Sequence, residues 1–243
     1  MPRVAQSRKR CSISDGLNCQ LSAYAHVASA AGVSVLALAG ASQAKIVYTE
    51  TNQATHAGVP LTLDLNHDGV KDFILRTMFY RGSSGLEIGL AASGYRNANN
   101  MVAGKRVSSG SNYFFSAASA LRAGALIGPK GNFSVPSPLM AAELFPKAGG
   151  SEYSAIGAWA GEGSGVNNRY LGFKFVVNGE VHYGWARVSV TLGHHRQFDD
   201  VSGTLTGYAY ETVSGKPIVA GRTTGPDVIT VQPGTLGGLA LGK

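Results

Sequence analysis

The stretch "YLGFKFVVNGEVHYGWARVSV", residues 170–190, constrains the fold more than any other part of the chain. Asn178-Gly179 is the preferred pair for a type I′ turn, in which both central residues take positive φ. A two-residue turn fixes the register of the strands that flank it. Val177 must face Glu180, Phe175 must face His182, and Phe173 must face Gly184. One face then carries Phe173, Phe175, Val177, His182, Gly184, Ala186, Val188 and Val190, and reads as core. The other carries Lys174, Val176, Val181, Tyr183, Trp185, Arg187 and Ser189, a mixture of aromatics, aliphatics and cations.

Other short apolar runs separated by Gly, Asn and Pro also read as strands. They are "KIVYTET", "GVPLTLDL", "KDFILRTMFY", "GLEIGLAAS", "GTLTGYAYETV" and "KPIVAG". Residues 92–112, rich in Gly, Ser and Asn, read as a long loop with one strand at Met101 and Val102. Two segments read as short helices: 116–128, stopped by Gly124, and 137–145, capped by Ser137 with Pro138 in the first turn. Neither is long enough to organise a fold. With 44% of residues apolar and 33 glycines, the expectation is an all-β protein. A β-sandwich or jelly-roll-like domain with one or two short helices fits this pattern.

Residues 1–44 read as a signal peptide. Arg3, Arg8, Lys9 and Arg10 supply a positive region, "VASAAGVSVLALAGA" an apolar one, and "SQA" a cleavage site. The alternative, a membrane anchor, needs about 20 apolar residues, and this run is shorter. The expected secreted domain spans 45–222, followed by a Gly-rich tail at 223–243 that is too short to cross a membrane. Cys11 and Cys19 both fall in the leader, so the processed chain has no thiol chemistry and no disulfide. The leader holds four of the 21 Lys and Arg and one of the 14 Asp and Glu, which leaves a modest positive excess. No run of cations with interleaved aromatics remains, so nucleic acid is not an expected partner.

The sharpest chemical motif is "DLNHDGVKD", residues 64–72. Asp64, Asn66 and Asp68 occupy positions 1, 3 and 5 of a calcium loop. Gly69 permits the turn, Val70 offers a backbone carbonyl, and Asp72 closes the loop directly or through water. An EF-hand would place a Glu where Leu75 stands and a helix on either side. Here both flanks read as strands. The alternative is an ion-free turn whose Asx side chains satisfy the backbone. Three carboxylates this close repel unless a cation neutralises them, which favours Ca2+ in a structural role.

Tyr183 and Trp185, with Lys174 and Arg187, form a possible ligand face on the hairpin, because rings stack on sugars and cations orient polar groups. The alternative is a second layer that covers them. His194 and His195, near Asp199 and Asp200, read as a solvated loop rather than a zinc site. His182 reads as a hydrogen-bonded core residue. Glu143, Glu152, Glu162 and Glu180 could in principle supply a glycosidase pair, but spacing alone does not pair them. The chain has no serine-hydrolase elbow, zinc-protease helix motif or Walker loop.

The loop resembles those of FG-GAP and related extracellular β-repeats, in which D-x-[DN]-x-D-G-x-x-D joins two strands. Those proteins repeat the motif, whereas this chain has one copy, so a propeller is not expected. The leader, "LDLNHDGVKDF", the 170–190 hairpin and "LTGYAYETVSGKPIVAG" together resemble uncharacterised secreted bacterial proteins of the PEP-CTERM-associated type. That resemblance implies export and no particular activity. "VQPGTLGGLALGK" lacks the Pro-Glu-Pro motif, spanning helix and basic end of a sorting tail, so anchoring by that route is not expected. The function expected is a secreted calcium-binding protein that recognises a polysaccharide or cell-surface component. A divergent extracellular carbohydrate-active hydrolase is the alternative.

Overall fold

The hairpin folds in the register its turn dictates. Strands β11 (Gly165–Val177) and β12 (Glu180–Leu192) pair Val177 with Glu180, Phe175 with His182 and Phe173 with Gly184. Asn178 and Gly179 both have positive φ, 51° and 86°. The structure is a computed structural model. It describes residues 44–231 apart from 56–57, 83–84, 97–98, 110–112, 134–136, 148–152 and 198–199. Residues 1–43 of the expected leader 1–44 and the last part of the tail lie outside the described residues, as do Glu152 and Asp199.

The protein is all-β, and among the described residues there is no helix. The hairpin sits inside the first of two large sheets. β1 (Ile46–Ala54), β5 (Met101–Val102), β13 (Val201–Glu211) and β15 (Val228–Val231) complete it, in the order β15-β1-β13-β12-β11-β5. The strands of the second sheet are β2 (Leu61–Leu63), β3 (Phe73–Arg81), β4 (Gly85–Gly94), β6 (Gly104–Ser109), β7 (Tyr113–Ala118) and β9 (Leu139–Pro146). They run in the order β2-β3-β4-β9-β7-β6, with β10 (Ser154–Ile156) also on β9. The two sheets pack face to face as a sandwich. Phe73 from the second sheet stacks on Phe173 from the first, 4.1 Å between ring centroids, and both are fully buried. Leu63, Leu75, Leu90, Ala186 and Val188 extend this core.

Part of the outer face of the first sheet, around Trp185, is buried as well. A two-stranded ribbon, β8 (Leu126–Ile127) with β14 (Ile218–Val219), contributes Ile127 and Ile218 to a second core. Trp185 lies at its centre with 0% exposure, between Tyr48 and Tyr170. Its strand neighbours are Gly172 on one side and Ala209 on the other, small residues that leave room for the indole.

Two expectations are corrected here. The segments read as helices are strands: Ser116 lies in β7, Leu126–Ile127 form β8, and 139–146 form β9. β9 is rich in helix formers, but its side chains from Leu139 to Glu143 are all buried. Packing on both faces decides its conformation, because propensity differences of a few tenths of a kcal/mol per residue are small beside the burial of Leu139 and Met140. The tail also begins later than its composition suggests. Val228–Val231 adds a parallel edge strand to β1.

Candidate metal centre

The loop 64–72 connects β2 to β3, strand to strand as its flanks imply. The core clamps it from below. Leu65, in its second position, and Phe73, just beyond its end, are both 0% exposed. A side chain at Gly184 would stand 2.9 Å from the Leu65 methyl, so β12 is bare there to admit the loop. Leu75, where an EF-hand carries its last ligand, is a core residue of β3.

Polar links hold the loop in shape. The Gly69 N–H donates to Asp64 Oδ2 at 2.9 Å, and the Val70 N–H to Asp68 Oδ1 at 2.7 Å. Asn66 Nδ2 donates to Asp68 Oδ2 at 2.8 Å. His67 Nε2 meets the buried Thr49 hydroxyl at 2.7 Å, which ties the loop to β1. Burial holds the His67 imidazole below its ordinary pKa, against the upward pull of Asp64.

Asp72 plays a different part from the other acids. It is buried, and the Leu65 N–H donates to its Oδ2 at 2.8 Å. Burial pushes its carboxyl up to about 6, opposed by the Leu65 hydrogen bond and reinforced by Asp64 and Asp68. Asn100 makes the second contact, donating from Nδ2 to the Asp72 carbonyl at 3.3 Å and to Oδ1 at 3.4 Å. Its own Oδ1 accepts from the Val176 N–H on β11 at 3.1 Å. Asn100 is 3% exposed and joins the loop to the opposite sheet. Sequence reading missed it, because its partners lie 28 and 76 residues away.

The residues fit a cation. Asp64 Oδ1 and Asn66 Oδ1 are shut off from solvent and have no hydrogen-bond partner among the described residues. Both are hard oxygen acceptors at the first and third loop positions, the atoms a calcium ion takes. A buried acceptor left unpaired costs about 1–3 kcal/mol, which an ion would offset. Among the described residues, no three His, Cys, Asp or Glu side chains form a gathered cluster. Asn66 is an amide, Asp68 is turned to Val70 and Asn66, and Asp72 is buried.

The hairpin residues stand elsewhere. Trp185 and Tyr183 (5% exposed) belong to the second core, so the expected ligand face is a covered face. Arg187 is half-buried and donates to the Thr206 hydroxyl and carbonyl at 2.7 and 3.2 Å. Lys174 lies on the same face near the β5 edge, opposite Met101. The physical reason is the β8–β14 ribbon, whose strands are far apart in the sequence.

A second polar cluster lies at the end of β9. Glu143 is fully buried, and its Oε1 is in ion-pair contact with His194 Nδ1 and accepts from the His194 N–H at 3.1 Å. Tyr153 stacks on the His194 ring at 4.1 Å. Asp200 is held by the Gln197 N–H and by His195. Burial raises the Glu143 carboxyl above its ordinary value, and Asp200 adds to this while His194 opposes it. Among the described residues, its titratable neighbours are thus His194 and Asp200 rather than another glutamate. His182 is a core histidine whose Nδ1 meets the Glu211 carbonyl at 2.9 Å.

The sign of the Glu143 effect is fixed by its direction. A carboxyl raised on folding contributes stability below its unfolded pKa and loses it as pH rises through the folded value. Glu143→Gln is therefore expected to flatten the fall in stability above about pH 4.5, the unfolded range for Glu. Denaturant midpoints measured from pH 4 to 7 check this; an unchanged slope would mean that Glu143 does not titrate on folding.

No protein-family model, curated protein or solved structure matches this chain.

Proposed function

We propose that this is an exported binding protein whose β2–β3 loop holds one structural Ca2+. The observation that carries the reading is the pair of buried, unpartnered oxygens, Asp64 Oδ1 and Asn66 Oδ1, in the loop that also presents Asp68. The Val70 carbonyl would add a fourth oxygen. Asp72 would act behind these ligands, holding Leu65 and Asn100 so that the loop keeps its curl. The ion would offset the repulsion among three carboxylates and clamp β2 to β3. A leader with cationic and apolar regions supports export, and millimolar extracellular calcium suits such a loop. The partner proposed is a polysaccharide or cell-surface component.

The hydrolase reading draws no support from Glu143, whose carboxylate is sealed beneath His194. Glu162 lies on an exposed turn and Glu180 is exposed at the start of β12.

Isothermal titration of the metal-free protein with CaCl2 tests the ion. One site with Kd on the order of 0.1–1 mM is expected, the range of extracellular modules whose last ligand is not a bidentate Glu. No saturable heat up to 10-fold above that range would remove the proposal.

A further inference from the structure

The strap that leaves β12, residues 193–197, is fastened to β9 through one buried carboxylate. Glu143 Oε1 accepts from the His194 N–H at 3.1 Å and meets the His194 ring at Nδ1. Its other oxygen, Oε2, is shut off from solvent and has no hydrogen-bond partner among the described residues. The strands on either side of β9 set Ile88 and Ala155 against Glu143, and both are apolar. The acid of β4, Glu87, pairs with Leu144 and so lies on the opposite face of the sheet. Asp200, buried just before β13, adds negative charge. His195 Nδ1 reaches Asp200 Oδ1 at 3.3 Å, but the His195 ring is largely exposed. Tyr153 stacks on His194, and the Arg196 guanidinium lies over the Phe145 ring.

The strap is closed in an unfavourable shape. His194 and Arg196 have φ of 64° and 61°, a region that residues other than glycine rarely enter. Residues 195–197 are exposed, so little apolar burial holds them down. Polar links do so instead. The Gly193 N–H donates to the Asp200 carbonyl at 2.8 Å, and the Gln197 N–H to Asp200 Oδ2 at 2.8 Å.

We propose that residues 193–197 are a proton-controlled latch, which stays down on β9 while the Glu143–His194 pair is electrically neutral and lifts when the pair loses a proton. The latch uses no residue of the calcium loop.

Charge supplies the drive. A neutral pair is tolerated in a sealed site. One proton fewer leaves a negative charge there, with Asp200 reinforcing it, and a buried charge without compensation is strongly destabilising. β9 itself cannot open to relieve this, because β4 and β10 pair along both of its edges. Lifting the strap brings water to Glu143 and releases the two left-handed residues, with the sandwich intact. Burial already holds the Glu143 carboxyl above its ordinary value, with His194 opposing and Asp200 adding to the rise. The closed form is therefore favoured at low pH and loses stability as pH rises through the folded value.

Amide hydrogen exchange of the whole protein, in EDTA from pH 5 to pH 8, tests the latch. Protection factors are corrected for the intrinsic pH dependence of exchange. The Gly193, His194 and Gln197 amides report the strap, and those of Trp185 and Ala186 on the central strand β12 report the sheet. Strap protection is expected to fall at least tenfold over this range, the scale set by release of one proton. At every pH it should lie at least 100-fold below that of the sheet, as local opening requires. Glu143→Gln is expected to abolish the fall. His194→Asn keeps a residue that tolerates the left-handed backbone, and should move the fall to lower pH, because the carboxyl alone then carries the proton. Strap protection that does not change with pH would overturn the proposal. So would strap and sheet amides of equal protection, which would mean that the strap opens only when the whole fold does. A fall that persists in Glu143→Gln, or that stays in place in His194→Asn, would also overturn it. The second variant decides if the first does not fold.

Discussion

Trp185→Ala is expected to destabilise the protein by about 3–5 kcal/mol, the range for emptying a buried aromatic site. The indole has 0% exposure and is enclosed by Tyr48, Tyr170 and the residues of the β8–β14 ribbon. Because Gly172 and Ala209 flank it, no large neighbour in the sheet can collapse into the hole. Trp185→Phe is the informative companion. It refills most of the volume and removes an indole N–H that has no partner among the described residues. Its cost should be well under half that of the alanine variant. Urea denaturation reads both. A surface ligand residue would instead change stability by within about 0.5 kcal/mol. That result would return Trp185 and Tyr183 to the open face expected from their alternation with Lys174 and Arg187.

Asn100→Ala carries the second large effect, about 2–4 kcal/mol. The substitution deletes the donor to Asp72 and the acceptor for the Val176 N–H. A buried carboxylate and a partly buried amide then lose partners at once. The loss should appear in two ways. The denaturation midpoint falls, and calcium binds more weakly because Asp72 no longer holds the loop. Asn100→Asp is expected to be at least as damaging, since it sets another carboxylate beside Asp72. Calcium should recover more stability in Asn100→Asp than in Asn100→Ala. A midpoint within experimental error of the parent protein in both variants would show that Asn100 does not bridge the sheets.

Local chemistry was legible in the sequence, and long-range cover was not. Asn178-Gly179 set the hairpin register because a two-residue turn leaves no freedom, and Asp64 to Phe73 announced a loop between strands. By contrast, Leu139–Pro146 reads as a helix because Leu, Met, Ala and Glu favour one. Only the neighbouring strands β4 and β10, which pair along it, show why it is extended. The same limit hid the ribbon. Leu126–Ile127 and Ile218–Val219 meet across a long sequence separation, and nothing local signals that they cover Trp185. The Tyr183 and Trp185 face was therefore read as a possible binding surface when it is a second core. Asn100 was equally invisible. Its partners come from segments that only the sandwich brings together.

The loop itself divides along the same line. Its order of Asp64, Asn66 and Asp68 at alternate positions could be read from spacing alone. The inward turn of Asp72 could not, because it depends on Leu65 being pulled into the core and on Asn100 arriving from another connection. That turn leaves the Asp72 carboxylate buried and hydrogen-bonded to the Leu65 N–H and Asn100.

Thermal unfolding in 5 mM CaCl2 and in EDTA tests the central claim most directly. At that concentration, a site with Kd of about 0.1–1 mM contributes about 1–2.5 kcal/mol through mass action, enough to raise Tm by several degrees. The rise is expected in the parent protein and is expected to vanish in Asp64→Ala and in Asp68→Ala. A melting curve that chelation leaves unchanged would contradict the account.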